Sequence, residues 1–297
     1  MTTSTVKNLE TIRDFIRFTT TSLYRSEATF MHGYDNPEDE ATFLIMKCLS
    51  LPLEDQERFI DCRVTEEEKE VLSKAIDDRC HQLIPTAYIT KEWWLTGYPF
   101  YVDDRVLIPR SYIAELLEEE LSPWVTDPEK VTSVLDLCTG SGCLAIIAAE
   151  TFPNASVDAA DISTDALEVA RKNITDYNLD GVVTPIKTDV FSNLGGKQYD
   201  LIISNPPYVT NEAMQALPGE YCHEPALALE AGEDGMDIVR KIISQAKQHL
   251  NDGGLLVVEI GNGKEAFEAI YPDMPVMWLS TSGGDDQVFL VKKEDLP

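Results

Sequence analysis

The sequence predicts an α/β fold in which helices wrap a mostly parallel, Rossmann-like sheet. From about residue 131 onwards, short apolar runs alternate with amphipathic stretches. This alternation is typical of parallel strands joined by crossover helices. Residues 1–85 instead show helical periodicity throughout, so we expect a small N-terminal helical domain before the sheet.

Capping signals support the helical interpretation of residues 1–85. Asn36 precedes a proline and two acidic residues, which is typical of a helix start. Thr65 and Glu68 have the spacing of a capping box. Both signals predict helix N-termini inside this domain.

Residues 86–110 are predicted to form a β-hairpin connector. This segment is rich in aromatic and β-branched residues and is punctuated by glycine and proline. Tyr88–Thr90, Trp93–Leu95 and Arg105–Ile108 are the strand candidates. A helix over Ile113–Leu121 then opens the domain of residues 111–297.

The strands and helices of the last domain follow from its periodicity. The predicted parallel strands are 131–137, 156–161, 182–187, 199–204 and 254–260. The predicted helices are 143–150, 164–177 and 235–250. Residues 276–279 and 287–292 flank a Gly-Gly-Asp-Asp turn and should add an antiparallel hairpin to the sheet.

Length and composition indicate an ordinary globular protein. The chain has 297 residues, a length typical of about two domains. Its hydrophobic share of 43% is enough to form a buried core. Its start lacks a basic region followed by an apolar one, and no apolar run approaches the ~18 residues of a membrane helix, so we expect a cytoplasmic protein without membrane contact. The six cysteines lack zinc-ligand spacing, which predicts buried free thiols and no metal site.

The charge balance is strongly acidic, with 24 Lys and Arg against 52 Asp and Glu and a formal net charge of −28. Such a chain repels polyphosphates at long range, which disfavours nucleic-acid recognition. A basic protein is a more natural partner because complementary charge speeds encounter. An acidic surface that serves only solubility is the alternative, and composition alone does not decide between them.

A glycine-rich turn follows the first strand of the sheet. Gly140, Gly142 and Ala145 have the pattern of a loop that turns tightly into a helix and lets a ligand approach the backbone. Asp161 stands nineteen residues after Gly142, at the end of the next strand. An acid there can accept hydrogen bonds from both ribose hydroxyls, so the pattern predicts a nucleotide-like ligand.

Charge selects S-adenosyl-L-methionine as the ligand, with S-adenosyl-L-homocysteine as the product. A pyrophosphate would be repelled by Asp136 and Asp161, whereas a sulfonium and an ammonium group are attracted by them. Asp189, after the third strand, is expected to meet the adenine amino group. The predicted cofactor-binding residues are Asp136, Thr139, Gly140, Gly142, Asp161, Ile162, Asp189 and Asn205.

The predicted catalytic residues lie in a clamp formed by Asn205, Pro206, Pro207 and Tyr208, directly after the fourth strand. Each proline fixes its own φ and forces the residue before it into an extended conformation, so the Asn205 side-chain oxygen and the Pro206 carbonyl can accept both hydrogens of one NH2 group. Tyr208 offers a flat face for stacking, and Pro207 completes the substrate-binding set. Planar NH2 groups of amides and of aminopurines both fit this arrangement.

Together these motifs resemble the HemK-type protein glutamine methyltransferases. The resemblance covers nearly the whole chain and includes 106–110, 136–142, 205–208, 224–229, 235–240 and 253–261. It implies a class I S-adenosylmethionine-dependent methyltransferase fold with a seven-stranded sheet, and a role in substrate recognition for the helical domain. It also implies that Asn205, Pro206 and Tyr208 hold a glutamine amide.

Two branches of this family are familiar. One modifies the Gly-Gly-Gln glutamine of peptide-chain release factors, and the other modifies a glutamine of the large-subunit ribosomal protein L-three. The release-factor branch usually follows Ile-Pro-Arg with Pro-Asp/Glu-Thr-Glu, whereas this chain continues with Ser111–Glu115. That departure favours the ribosomal-protein branch, as do the segments His32–Glu40 and Glu220–Pro225, which are similar to it.

Rival functions fit the sequence less well. Adenine-specific DNA methyltransferases share the clamp, but they must also flip a base and grip phosphates, and this chain has no basic stripe. A non-catalytic ribosome-assembly factor would not need an intact clamp and glycine loop. An oxidoreductase that uses NAD conflicts with the acids in the glycine loop.

Overall fold

The computed structural model describes residue 6, residues 8–30 and residues 34–297. Its two compact units consist of Met1–Glu92 with Leu217–His223, and of Trp93–Ala216 with Glu224–Pro297. The domain boundaries after residues 85 and 110 stay a prediction. His32 and Gly33, which begin one of the branch-specific segments, lie outside the described residues.

The first unit is helical. Its helices are α1 (Ile12–Arg25), α2 (Pro37–Cys48), the single turn α3 (Gln56–Phe59), α4 (Glu66–Cys80) and α5 (Thr86–Thr90). The Asn36 side chain accepts a hydrogen bond from the Asp39 N–H, and Thr65 and Glu68 make both bonds of a capping box. Both predicted helix starts are thus confirmed.

Buried ionic contacts hold the inserted segment in this unit. Arg79 donates hydrogen bonds to the carboxylates of Glu40 and Glu220, and all three side chains are almost fully buried. Glu220 also accepts from the Thr29 N–H at 2.6 Å. Removing one member of such a buried set leaves an unpaired charge, which is strongly destabilising.

The connector differs from its prediction at two of three strands. Trp93–Leu95 (β1) is a strand and pairs with Tyr98–Phe100 (β2). Tyr88–Thr90 instead lies in α5, because the Pro85 carbonyl accepts the Tyr88 and Ile89 N–H groups as a helical turn does. Arg105–Ile108 is irregular: the Ile108 N–H bonds to a carboxylate of Glu224 and not to a strand.

The second unit contains a seven-stranded sheet. Its strands are β3 (Ser133–Leu137), β4 (Ser156–Asp161), β5 (Val183–Lys187), β6 (Tyr199–Ser204), β7 (Leu250–Glu259), β8 (Met277–Thr281) and β9 (Gly284–Lys292). The order is β5-β4-β3-β6-β7-β9-β8, with β9 antiparallel to both β7 and β8 and the other pairs parallel. The predicted α/β fold and its final hairpin are confirmed.

Helices cover both faces of this sheet. They are α6 (Ile113–Glu118), α7 (Cys143–Thr151), α8 (Thr164–Asp176), α9 (Asn211–Ala216), α10 (Asp237–His249) and α11 (Lys264–Ile270). Val134 packs in a core with α6 and α7, while its neighbour Leu135 packs in a second core with α10 and α11. This is the alternation expected of a strand buried on both faces. Helices α9 and α11 had no counterpart in the prediction.

Two other expectations concern membrane-spanning helices and the burial of the cysteines. Among the described helices, none combines the length and the apolar character needed to span a membrane. The expectation of buried thiols holds for Cys80 and Cys143 but is wrong for Cys62 and Cys222, which are exposed.

Strand order places the functional motifs side by side. β3 pairs with β6 so that Leu137 lies opposite Ser204, and the Ser204 hydroxyl donates to the Leu137 carbonyl at 2.9 Å. β7 flanks β6 on the other side, with Val258 opposite Ser204. The chain segments that leave these three strands therefore meet at one edge of the sheet.

Candidate functional site

The loop after β3 takes its shape from two glycines. Gly140 and Gly142 have φ angles of +54° and +81°, which disfavour other residues. A Cβ on Gly142 would lie 3.1 Å from the Cβ of Ala170 in α8, so this glycine also permits close packing. A Cβ on Gly140 would meet no atom within 4 Å, because this residue faces open space.

Asp136 lies beneath that loop and is 1% exposed. Its Oδ2 accepts hydrogen bonds from the Thr139 hydroxyl and from the Ala145 N–H at 3.1 Å. Its Oδ1 is buried and has no partner within the part of the chain that the structure describes. Burial raises the pKa of Asp136 to about 7, although both hydrogen bonds oppose this shift.

Asp161 ends β4 and ties the glycine loop to the next strand. Its Oδ2 accepts from the Gly140 N–H at 2.9 Å, and its Oδ1 accepts from the Ser163 N–H at 2.8 Å. Burial raises the pKa of Asp161. The adjacent Ile162 side chain is 48% exposed, which is unusual for an isoleucine.

Asp189 follows β5 and faces a lysine. The Nζ of Lys241, on α10, lies 3.3 Å from both carboxylate oxygens of Asp189. Each side chain is 49% exposed. Such a pair is mostly screened by water and contributes little to stability.

A cavity of ≈ 270 Å³ connects these strand ends. Its lining residues are Arg105, Val106, Leu107, Leu137, Cys138, Gly140, Ala160, Asp161, Ile162, Ser163, Ala166, Thr188, Asp189, Val190, Asn205, Pro207, Pro225, Leu227, Ala228, Ile238 and Lys241. Six predicted site residues are among them: Gly140, Asp161, Ile162, Asp189, Asn205 and Pro207. Of the other predicted residues, Asp136, Thr139, Gly142, Pro206 and Tyr208 do not line it.

The clamp leaves β6 along a fixed path. The Val209 N–H donates to the Leu229 carbonyl at 2.8 Å, and the Ala231 N–H donates to the Val209 carbonyl at 2.9 Å. Pro206 is buried, whereas Asn205, Pro207 and Tyr208 are partly exposed. The Tyr208 ring packs directly against the backbone of Gly261.

The prediction missed several residues of the cavity. Pro225, Leu227 and Ala228 belong to a segment that carries the family resemblance, which was the available signal, although no role was predicted for them. Leu227 is 58% exposed and forms an apolar wall of the cavity. Lys241 could not be identified as a cavity residue from the sequence, because it is one of several charged residues on an amphipathic helix.

The residues present suit a cofactor that carries positive charge. Asp136, Asp161 and Asp189 bring three carboxyl groups to this region, and a nearby cation would stabilise their charged forms. The unpartnered Oδ1 of Asp136 is a buried acceptor that protein atoms do not satisfy. Ile162 and Leu227 add apolar surface suited to a flat base.

Comparison with known proteins also indicates a methyltransferase. Residues 114–232 match the family described as the methyltransferase small domain. A methyltransferase from Pyrococcus furiosus has a similar structure, with a TM-score of 0.47 and 19% identity over 67% of this chain and 90% of that chain. A TM-score this low does not contribute to the family assignment.

Curated relatives are much more similar. The ribosomal protein uL3 glutamine methyltransferase of Burkholderia pseudomallei is 47% identical over 100% of this chain and 99% of its own length. Its namesake in Neisseria gonorrhoeae is 49% identical over 98% of this chain and 97% of its own length. This chain therefore belongs to the family of ribosomal protein uL3 glutamine methyltransferases.

Proposed function

We propose that this protein transfers a methyl group from S-adenosyl-L-methionine to the side-chain amide nitrogen of a glutamine in ribosomal protein L-three (uL3). Relatives that match at least 98% of this chain are named ribosomal protein uL3 glutamine methyltransferases. The structural observation that carries the proposal is that Asn205 of the clamp lines the same cavity as Gly140 and Asp161.

The residues around the cavity would share the binding of the cofactor. Asp161 would accept hydrogen bonds from the ribose hydroxyls, and Asp189 would accept one from the adenine amino group. Ile162 would contact the base. Asp136, beneath the loop, would hold the ammonium end through a water bound to its unpartnered Oδ1. The bound cofactor supplies an activated methyl group on a sulfonium.

The clamp acts on the substrate amide. Its nitrogen is a poor nucleophile because the lone pair is delocalised into the carbonyl. The Asn205 side-chain oxygen and the Pro206 carbonyl would accept its two hydrogens, which would hold the nitrogen in place for methyl transfer and return electron density to it. Tyr208 stacks on the amide plane. No strong base is needed, since the methylated nitrogen is acidic and releases one proton to water.

The acidic character of the chain supports a basic protein substrate. A net charge of −28 favours encounter with a cationic ribosomal protein and disfavours direct contact with nucleic acid. We assign substrate recognition to the helical domain of residues 1–85 and methyl transfer to residues 111–297. No membrane role is proposed, and the cytoplasm, where ribosomes are assembled, is the expected location.

Mass spectrometry tests this proposal. The protein and S-adenosyl-L-methionine are incubated in parallel with purified uL3, with a release factor that carries Gly-Gly-Gln, and with duplex DNA. We expect one added methyl group on a single glutamine of uL3 and none on the other two. A methylated release factor beside unmodified uL3 would show that the substrate is wrong, and methylated adenine would show that the substrate class is wrong.

A further inference from the structure

We infer that Gly261 is a positioning residue for Tyr208, and that Gly235 assists it. The inference rests on the proposed role of Tyr208 in the clamp. These glycines do not touch the cofactor cavity. They act by leaving space that the clamp tyrosine occupies.

The Tyr208 ring lies against Gly261. A Cβ built on Gly261 would be 2.7 Å from Cε2 of the ring and 3.1 Å from both Cδ2 and Cζ. Real Cβ atoms essentially never approach another heavy atom within 3.0 Å. Any side chain at position 261 would therefore push the ring aside.

The backbone of Tyr208 meets the second glycine. A Cβ on Gly235 would lie 2.4 Å from the Tyr208 carbonyl oxygen and 3.3 Å from its carbonyl carbon. Backbone cannot yield as a flexible side-chain end can. Gly235 thus limits where the peptide after the clamp can run, and Gly261 limits where the ring can lie.

A positive φ does not by itself require glycine at position 261. Its φ is +51°, yet Val190 has the same φ of 51° and Cys138 has 59°. This chain therefore accepts other residues in that conformation, even a β-branched one, despite the usual preference for glycine. What distinguishes Gly261 is the tyrosine ring beside it.

The sheet explains how residues so distant in sequence meet. Ser204 at the end of β6 lies opposite Val258 near the end of β7. Tyr208 follows the first strand and Gly261 follows the second, so both leave the sheet at the same edge. The clamp thus takes one of its supports from the neighbouring strand and not from its own motif.

Gly261→Ala tests the inference, with Gly195→Ala as the matched control. Gly195 has a similar φ of +62°, but a Cβ there would meet no atom within 4 Å. We expect Gly261→Ala to lower kcat for uL3 methylation roughly 100-fold, as for a misplaced reacting group, with cofactor affinity unchanged. Gly195→Ala should leave both unchanged. Equal kcat in the two variants would overturn the inference.

A double-mutant cycle identifies the tyrosine ring as the cause. In a Tyr208→Ala background, where the ring is absent, Gly261→Ala should change kcat less than about twofold. In a Tyr208→Phe background, where the ring remains, the full loss should persist. Equal losses in both backgrounds would show that Gly261 acts elsewhere.

A crystal structure of Gly261→Ala gives a readout that does not depend on the substrate. The Tyr208 ring should be displaced by about 1 Å or more, because an unmoved ring would overlap the new methyl group. A wild type that fails to methylate uL3 would refute the proposed function, whereas an unmoved ring would refute this inference. Should Gly261→Ala not fold, Tyr208→Ala/Gly261→Ala should fold, and failure of both would also refute it.

Discussion

The glycine loop after β3 and the clamp after β6 lie on neighbouring strands but are built in different ways. Most of the loop's contacts are local: Gly140 and Gly142 supply its turns, and Asp136 accepts hydrogen bonds from Thr139 and Ala145, although the Gly140 N–H also donates to Asp161 at the end of β4. The clamp is stiff because of its own prolines, but its position is set by distant residues. The glycine loop is thus held mostly by nearby residues, whereas the position of the Asn205–Tyr208 segment depends more on residues distant in sequence.

Two buried carboxyl groups, one beneath the glycine loop and one at the end of β7, also differ in their contacts. Asp136, under the loop, keeps one buried oxygen without a partner. Glu259 ends β7 two residues before Gly261, and its Oε2 accepts from the Ser111 hydroxyl at 2.6 Å and from the Tyr112 N–H at 2.9 Å. We interpret the first carboxyl group as part of a binding site and the second as a structural support. Ser111 is the residue at which this chain departs from the release-factor pattern.

The largest expected effect separates the clamp from the loop. Asn205→Ala should lower methyl transfer by roughly 100-fold or more, since losing one preorganised hydrogen-bond partner costs about 3 kcal/mol in the transition state. Cofactor affinity, measured by calorimetry, should change little. Asn154→Ala, at an exposed turn, is the control. Equal loss of affinity and rate would mean that the clamp is a folding element.

The contribution of Glu259 to stability should depend on pH. Burial raises the pKa of Glu259 from 4.5 to about 7. The folded state therefore holds this proton more tightly than the unfolded state, so the stabilisation present below pH 4.5 is lost as the pH rises through about 7. The loss is up to about 3 kcal/mol.

Glu259→Gln checks this dependence, because glutamine has a similar shape and does not titrate. Urea unfolding at pH 5 and pH 8 should show a smaller stability difference for the variant than for the wild type. Asp136 titrates in a similar range, but it is common to both proteins and cancels. Identical differences in the two proteins would rule out titration of Glu259 in this range.

A substitution of Asp161, next to the glycine loop, should affect cofactor affinity more than kcat, which is the reverse of Asn205→Ala. Asp161→Asn should weaken cofactor binding by roughly 30-fold, because hydrogen bonds to a charged group contribute about 2 kcal/mol, while kcat at saturating cofactor falls less. Asp165→Asn removes the same charge from an exposed position on α8 and serves as the control. If the two variants bind equally, Asp161 does not contact the ribose.

The smallest effect is expected at the edge of the cavity. Lys241→Ala removes the partner of Asp189, but this pair is half exposed and such pairs contribute at most about 1 kcal/mol. Cofactor affinity should change less than about fivefold, with kcat unchanged. A larger loss, measured by calorimetry, would place Lys241 in direct contact with the cofactor.

Features that depend on local physics could be predicted from the sequence. Asn36 and the Thr65–Glu68 box cap helices wherever they occur, because the capping bonds join residues three apart. The strands and the glycine loop followed from periodicity and from backbone freedom. The strand predictions for Tyr88–Thr90 and Arg105–Ile108 were wrong. Composition favours a strand there, but a strand also needs a neighbouring strand to pair with, and composition does not reveal whether one is present.

The sequence by itself determined that a mostly parallel sheet would carry a glycine loop after one strand and a rigid Asn-Pro-Pro-Tyr segment after another. Only the tertiary structure decided which residues surround them. Leu227, Lys241 and Gly261 reach the site because β3, β6 and β7 are neighbours in the sheet. That order is set by packing between segments distant in sequence, and it leaves no periodic trace in the chain.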